Sequence, residues 1–420
     1  MNPYHANTKH SYLSVRTHPN YLDWDNQPSA FKSYDHFMKM IKLEDSNPLH
    51  KMIYRIGGIT AKKVYPGTEY YLRTLPGAGA LYPVEFYFQT RGVEGFDDGI
   101  WHFDVKNSAV ELLYRIEKGE GVEACFEDKR QVRGFVFLLS TLYFRSSWKY
   151  KNRAFRYCLL DTGHAQGSIE ASTFLQDYAA NIRYRFDKKA LNEAFGLGYK
   201  EFFLSCVIVG APTRMYTDVF RMKLEDINPS SARNEMIERS YEETLVLHGC
   251  RKMTRYEEFG FDKKRFEEVI YKRRSIRAFS KKPILKRVLD VVLETLAKPI
   301  LSDCDEEVQI YYVVNRVEGL KQGVYLNGKC IKEGDFHEKT GYLCLEQKLG
   351  SDSAVTFFLA SGSQNYQSAY LKAGHIGHRL YLVSEYLGLG CSGIGAYYDD
   401  ETAEFLETEE MILYALAIGH

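Results

Sequence analysis

The chain has 420 residues, 45% hydrophobic and 26% charged, a globular composition too long for one ordinary core. Lys+Arg 55 balance Asp+Glu 55, which argues against a nucleic-acid or polybasic membrane binder. No run of about 18 apolar residues is present to span a bilayer.

Eight cysteines show no C-x-x-C pair and no Cys/His run at zinc spacing, so no metal site is expected. Several, such as Cys206, lie in apolar stretches and read as buried thiols, which points to a reducing compartment. Residues 1–10 lack an apolar signal core, and the expected location is the cytoplasm. The 32 Tyr and 25 Phe read as filling for strands and interfaces.

In chain order, the first distinctive element is Leu75-Pro76-Gly77-Ala78-Gly79-Ala80-Leu81-Tyr82-Pro83, a Gly-rich turn entering an apolar strand. Its glycines suit close backbone approach to a flat ligand. Strand, polar turn and strand follow over 86–101, then an apolar strand over Phe135–Leu139. Gly163-His164 opens a long helical pattern, and Val207–Gly210 reads as a closing strand. Residues 221–260 form a charged connector with a helix over 231–247.

The second half starts with a helix whose apolar face is Phe266, Val269 and Ile270, with Asp262 as N-cap. It delivers Arg273, Arg274, Ser275 and Arg277, a set of planar donors and a hydroxyl suited to phosphate oxygens. A solvated helix end is the plainer alternative. A helix from His375 to Leu387, with Leu380, Val383 and Leu387 on one face, runs into Gly388-Leu389-Gly390-Cys391-Ser392-Gly393-Ile394-Gly395. Those glycines suit either close ligand approach or a helix-to-strand turn.

The halves match each other. Residues 86–95 match 310–319, Leu160–His164 match Leu371–His375, and Val207–Gly210 match Leu416–Gly419, with offsets of 224, 211 and 209. Three matches in one order indicate an internal duplication. Each copy reads helix, strand, strand, strand, helix, strand, an α+β unit of ordinary domain size. The expected boundaries are 1–220, 221–260 and 261–420.

The copies have decayed in complementary ways. The counterpart of the Gly-rich turn, Lys298–Asp305, has no glycine, and the counterpart of the second-half glycine segment, Phe174–Arg183, has lost its glycines too. Only one composite site is complete. It draws two elements from the second copy and one from the first.

Arg-Arg-Ser-x-Arg-x-Phe at 273–279 resembles the opening motif of the nitroreductase-like flavoproteins. With Pro76–Pro83, Arg156–His164 and Gly388–Tyr397, the pattern resembles the SagB/ThcOx-type dehydrogenases, which include azoline oxidases of peptide natural products. The resemblance covers nearly the whole chain, including Thr8–His10 and Leu22–Pro28 near the N-terminus. It implies two nitroreductase-like α+β-sandwich units forming an intramolecular pseudo-dimer with one FMN and a ping-pong hydride cycle.

On that resemblance, Arg273, Arg274, Ser275 and Arg277 hold the ribityl phosphate and pyrimidine edge. Gly393, Ile394 and Gly395 place a backbone N–H, that of Gly395, near flavin N5. Pro76, Gly77, Ala78 and Gly79 line the isoalloxazine, flanked by Leu81 and Tyr82. The commoner form of the turn has Ser where this chain has Gly77. Lys149 and Tyr150 sit where the family's azoline dehydrogenases have a Lys-Tyr pair acting in proton removal, and an adjacent Lys would lower the phenol pKa. Ser14-Val15-Arg16 is a weak first-copy echo of the arginine motif, and His164 and His375 are expected to be structural.

The expected function is hydride transfer at flavin N5 to or from a small organic substrate, with a thiazoline or oxazoline peptide as candidate. The alternatives are an NAD(P)H-dependent nitro or quinone reductase and a flavin-free pseudoenzyme or accessory subunit.

Overall fold

Two antiparallel sheets carry the fold in the computed structural model, which describes residues 2–17, 21–65, 68–224 and 232–420. The chain divides into two units, and neither is a continuous segment. The first unit comprises Asp23–Glu258 and Pro299–Asp305, and the second comprises Met1–Leu22, Phe259–Lys298 and Glu306–His420.

The first unit contains β1 (Lys39–Lys42), α1 (Pro48–Gly57), β2 (Val84–Arg91), β3 (Gly99–Asp104), β4 (Ala109–Arg115) and β5 (Arg130–Leu142). Helices α2 (Tyr143–Tyr150) and α3 (Ala154–Phe174), strands β6 (Asn181–Arg183) and β7 (Glu201–Tyr216), and connector helix α4 (Glu235–Glu243) follow. Its sheet order is β1-β4-β3-β2-β5-β7-β6. The second unit has α5 (Lys263–Lys272), α6 (Lys286–Ala297), β8 (Gln309–Val314), β9 (Gly323–Leu326), β10 (Lys329–Glu333) and β11 (Val355–Ser361). Helix α7 (Tyr366–Tyr386), β12 (Gly390–Ile394) and β13 (Met411–Gly419) complete it, in the order β10-β9-β8-β11-β13-β12.

Those six strands repeat the order of β4-β3-β2-β5-β7-β6, and the register repeats as well. Phe86 pairs with Leu139 as Ile310 pairs with Leu359, and Phe135 with Val209 as Val355 with Ile418. An irregularity follows Leu139 in one sheet and Leu359 in the other. A strand slipped by one residue would turn its core face outward, so register is preserved where the core demands it.

The structure corrects several sequence readings. The repeated set holds six strands in each copy, two more than expected, and the first unit's sheet adds β1. Glu111 breaks the apolar run of β4 because it is buried as a partner of His102, while β6 has only three residues. Gly163-His164 and Gly374-His375 lie inside α3 and α7 rather than opening them. All of α3 is buried, and α7 is buried from Tyr366 to Ser384 except at Lys372, so α7 lacks the single apolar stripe expected of it. Trp148-Lys149-Tyr150 ends a helix, not a strand.

Cys250 and Cys304 are disulfide-bonded, correcting the reading of the cysteines as thiols, and the other six are free. The bond fastens 299–305 to the first unit, where Ser302 also bridges Ile182 and Met253. The segment Met1–Leu22 belongs to the second unit, where the His10 N–H donates to Asp399 and Arg16 pairs with Glu346. Arg16 is therefore not an arginine motif of the first unit. Of the expected connector helix, α4 forms, and Ser231 lies outside the described residues. Asp262 caps α5 as expected, and Phe266, Val269 and Ile270 are its buried face. Among the described residues, no helix is long and apolar enough to cross a membrane.

A buried charge network braces the first sheet. His102 sits 3.0 Å from both Glu85 and Glu111, and Arg145 Nη1 lies 2.6 Å from Glu85 Oε1. Burial would raise the Glu85 carboxyl, but Arg145 and His102 override it and hold it down at about 2. Arg145→Ala would leave Glu85 buried with half its charge compensation gone, an expected loss of about 3–5 kcal/mol in urea denaturation.

Candidate active site

In the second unit, α5 ends where Arg273 turns to φ −47°, ψ 127°, and the chain then runs beside β12. Ser275 forms a parallel bridge with Cys391, and the Ile276 N–H donates to the Cys391 carbonyl. The arginine and glycine segments are therefore neighbours. Tyr381 of α7 ties them together: its hydroxyl lies 2.8 Å from Ser275 Oγ and accepts the Gly393 N–H at 2.6 Å. When Tyr381 donates to Ser275, the serine keeps its own proton for another acceptor.

Arg273 is 3% exposed with its guanidinium over the Tyr381 ring. Arg274 spends Nη1 on the carbonyls of Tyr271 and Arg273, whereas Arg277 is exposed. Burial raises the Glu385 carboxyl, and Arg273 and Arg274 pull it back. Gly390 and Gly393 are strand residues, crowded by the Ile276 side chain and the Tyr414 hydroxyl respectively, so a side chain at either would require that neighbour to move. Of the segment's glycines only Gly388, at φ 77°, needs the left-handed region.

In the first unit, the Gly-rich turn folds as a short 3-10 segment over Ala78–Ala80. Gly79 (φ 63°), Ala80 (φ 56°) and Tyr82 (φ 45°) all take left-handed backbone, strained for the two residues with a Cβ. Three buried groups hold it. The Asp161 carboxyl of α3 accepts the Ala78 N–H with both oxygens at 3.2 Å, Arg145 donates to the Tyr82 carbonyl at 2.8 Å, and the Arg73 N–H donates to the Tyr82 hydroxyl. Pro76 is buried, and Gly77 and Ala78 are partly exposed. Leu81 and Tyr82 are 2% and 5% exposed, and Tyr82 packs so closely on Gly77 that a Cβ there would meet its ring at 2.9 Å.

Lys149 and Tyr150 lie against this turn. A Cβ on Gly79 would stand 2.8 Å from the Tyr150 hydroxyl and 3.4 Å from Lys149 Nζ. Tyr157 of α3 backs Tyr150, their ring centroids 4.3 Å apart. Two motifs separated by some 70 residues in sequence thus form one cluster. Sequence reasoning assigned nothing to Asp161, Tyr157 or Tyr381. The signal for Asp161 was there, a lone carboxylate between Leu160 and Thr162 in a mostly uncharged run.

Residues 270–420 match the family model described as the nitroreductase family. That span includes the arginine segment, Tyr381 and β12. A protein of Methanocaldococcus jannaschii provisionally named a nitroreductase is 27% identical over 182 residues, 37% of this chain and 90% of its own. The trifolitoxin-processing protein TfxB of Rhizobium leguminosarum bv. trifolii is 26% identical over 108 residues, 24% of this chain and 29% of its own. A crystal structure from Anabaena variabilis, also provisionally named a nitroreductase, has TM-score 0.84 and 25% identity over 99% of this chain and 98% of that one. Residues 270–420 are a nitroreductase-family domain, and the whole chain has the nitroreductase-like α+β fold. Those residues are thus similar to the nitroreductase-family oxidoreductases, and over the rest of the chain the likeness is one of fold.

Tyr381→Phe would leave the partly buried Gly393 N–H without its acceptor, an expected cost of about 0.5–1.5 kcal/mol by chemical denaturation. A second prediction concerns pH. Burial raises the Asp161 carboxyl from 3.8 to about 8, partly offset by the Ala78 N–H. The folded state therefore favours the neutral form, and stability from this group is full below pH 3.8 and declines until pH 8. Urea midpoints of wild type should fall relative to those of Asp161→Asn between about pH 4 and pH 8.

Proposed function

We propose that the chain is an FMN-dependent dehydrogenase of the SagB/ThcOx type, acting on a small organic or peptide substrate such as a thiazoline or oxazoline. The observation that carries this reading is the packing of Lys149 and Tyr150 against Gly79, which joins a proton-handling pair to the turn expected to line a flavin. The nitroreductase family generally binds FMN, and the donor set suits it. Arg273, Arg274 and Arg277 with the Ser275 hydroxyl match a phosphate. The Ser392 hydroxyl beside them is buried and has no hydrogen-bond partner among the described residues.

Arg273, Arg274, Ser275 and Arg277 would hold the phosphate and pyrimidine edge, with Gly393, Ile394 and Gly395 offering backbone groups. Pro76, Gly77, Ala78 and Gly79 would line the ring system, with Leu81 and Tyr82 supporting them from within the first unit. FMN when bound supplies hydride exchange at N5. Tyr150 would hold or release the substrate proton at its phenol oxygen, assisted by the Lys149 ammonium. The complementary loss of elements between the copies supports one FMN site per chain.

The likeness to a trifolitoxin-processing protein supports a biosynthetic substrate. A second reading, an NAD(P)H-dependent nitro or quinone reductase, is favoured by the names of the Methanocaldococcus and Anabaena relatives. Rapid mixing with NADPH separates them: fast flavin bleaching supports the reductase, and inertness supports the substrate oxidase.

Arg273→Ala combined with Arg277→Ala should weaken FMN binding at least 100-fold, since each charge-assisted contact is worth about 1.5–3 kcal/mol. Unchanged flavin content in the folded double variant would refute the assignment. Tyr150→Phe should keep its flavin while turnover drops by about 10²–10⁴. Full turnover would remove the Lys149-Tyr150 pair from the chemistry.

A further inference from the structure

Helix α3 presents Tyr157 and Asp161 four residues apart, hence on one face. Tyr157 packs on Tyr150, and Asp161 takes the Ala78 N–H, so that single face touches both parts of the cluster. A buried, rigid helix therefore sets the distance between the turn and the Lys149-Tyr150 pair.

The duplication gives an internal comparison. At the offset of 211 that aligns the two Gly-His pairs, Tyr157 corresponds to Ser368 and Asp161 to Lys372. In the second unit both grip one residue: Ser368 Oγ donates to the Glu306 carboxylate at 3.0 Å, and Lys372 Nζ donates to the Glu306 carbonyl. The helix position thus holds the segment before β2 in the first unit and before β8 in the second, with opposite polarity. Where the glycine turn survives, the helix offers an acceptor for a backbone N–H. Where the turn is lost, the helix offers a donor for a backbone carbonyl.

We propose that Asp161 is a positioning residue for the active site: by accepting the Ala78 N–H it fixes the Gly77–Ala80 backbone against Tyr150, and so sets the flavin-lining surface relative to the proton-handling pair. This rests on the FMN reading for its consequence but not for its geometry. Asp161 is 5% exposed, and its role is exerted through the turn rather than on the substrate.

The test compares wild type, Asp161→Asn and Asp161→Leu by hydrogen exchange at the Ala78 amide and by FMN titration. Asparagine keeps an acceptor oxygen, whereas leucine fills the space without one. The expected result is a protected Ala78 amide in wild type and in Asp161→Asn, with FMN affinities within about threefold of each other. Asp161→Leu should exchange Ala78 at least tenfold faster and bind FMN at least tenfold more weakly, with native circular dichroism. An unprotected Ala78 amide in wild type overturns the proposal even if the leucine variant fails to fold. So does a folded Asp161→Leu with unchanged exchange, or a folded Asp161→Asn that behaves like it. A wild type that protects Ala78 as Asp161→Asn does, yet takes up no FMN, refutes the flavin reading while supporting the Asp161 assignment.

Discussion

At Gly79 the backbone enters the left-handed region, and the absence of a Cβ there lets the Tyr150 hydroxyl close on the turn. Ala80 and Tyr82 share that backbone region without glycine's freedom, and strain of order 1–3 kcal/mol each must be offset by the surroundings. The buried groups described above do so: Asp161 at Ala78, Arg145 and Arg73 at Tyr82. Arg145 is in turn fixed by Glu85, which His102 joins to Glu111. A strained surface turn thus rests on a charge network inside the sheet, the arrangement expected where a backbone must be pre-organised for a ligand.

The two sheets show which parts of a duplicated fold are free to diverge. Strand order, pairing and even the irregularity after Leu139 and Leu359 are retained, because a slip would expose the core face of a strand. Divergence is concentrated in the segments that join strands and helices, where a change of residue does not disturb the ladder. The glycine turn and the arginine segment belong to that set, whereas the glycines of β12 lie in a strand of the ladder itself. Sequence asymmetry therefore coexists with a repeated strand order and register.

The duplication was legible because paired strands keep their spacing, so the matches at Phe86 and Val207 survived, and because the match at Leu160 falls in a fully buried helix. The α5 face and its Asp262 cap were legible for the same local reason. What escaped was non-local or lacked a boundary signal. Nothing near Ala154 marks the start of α3, since Arg153 makes no capping hydrogen bond with its side chain. The Cys250–Cys304 bond joins residues 54 apart, and no spacing rule reveals it. Tyr381 looked like one apolar residue of a helix, and its hydroxyl acquires a role only once Ser275 and Gly393 lie beside it. The glycines of 388–395 were ambiguous between turn and ligand site, and Gly390 and Gly393 prove to be tight-packing strand residues.

Complementary decay has a consequence that can be counted. On the proposed reading, two intact copies would carry two flavin sites, and the set of elements that survives would carry one. The direct measurement is the molar ratio of FMN to polypeptide after reconstitution with excess FMN and removal of the unbound fraction. One FMN per chain is the expected ratio. Two per chain, or none, would contradict the proposal of one flavin site per chain.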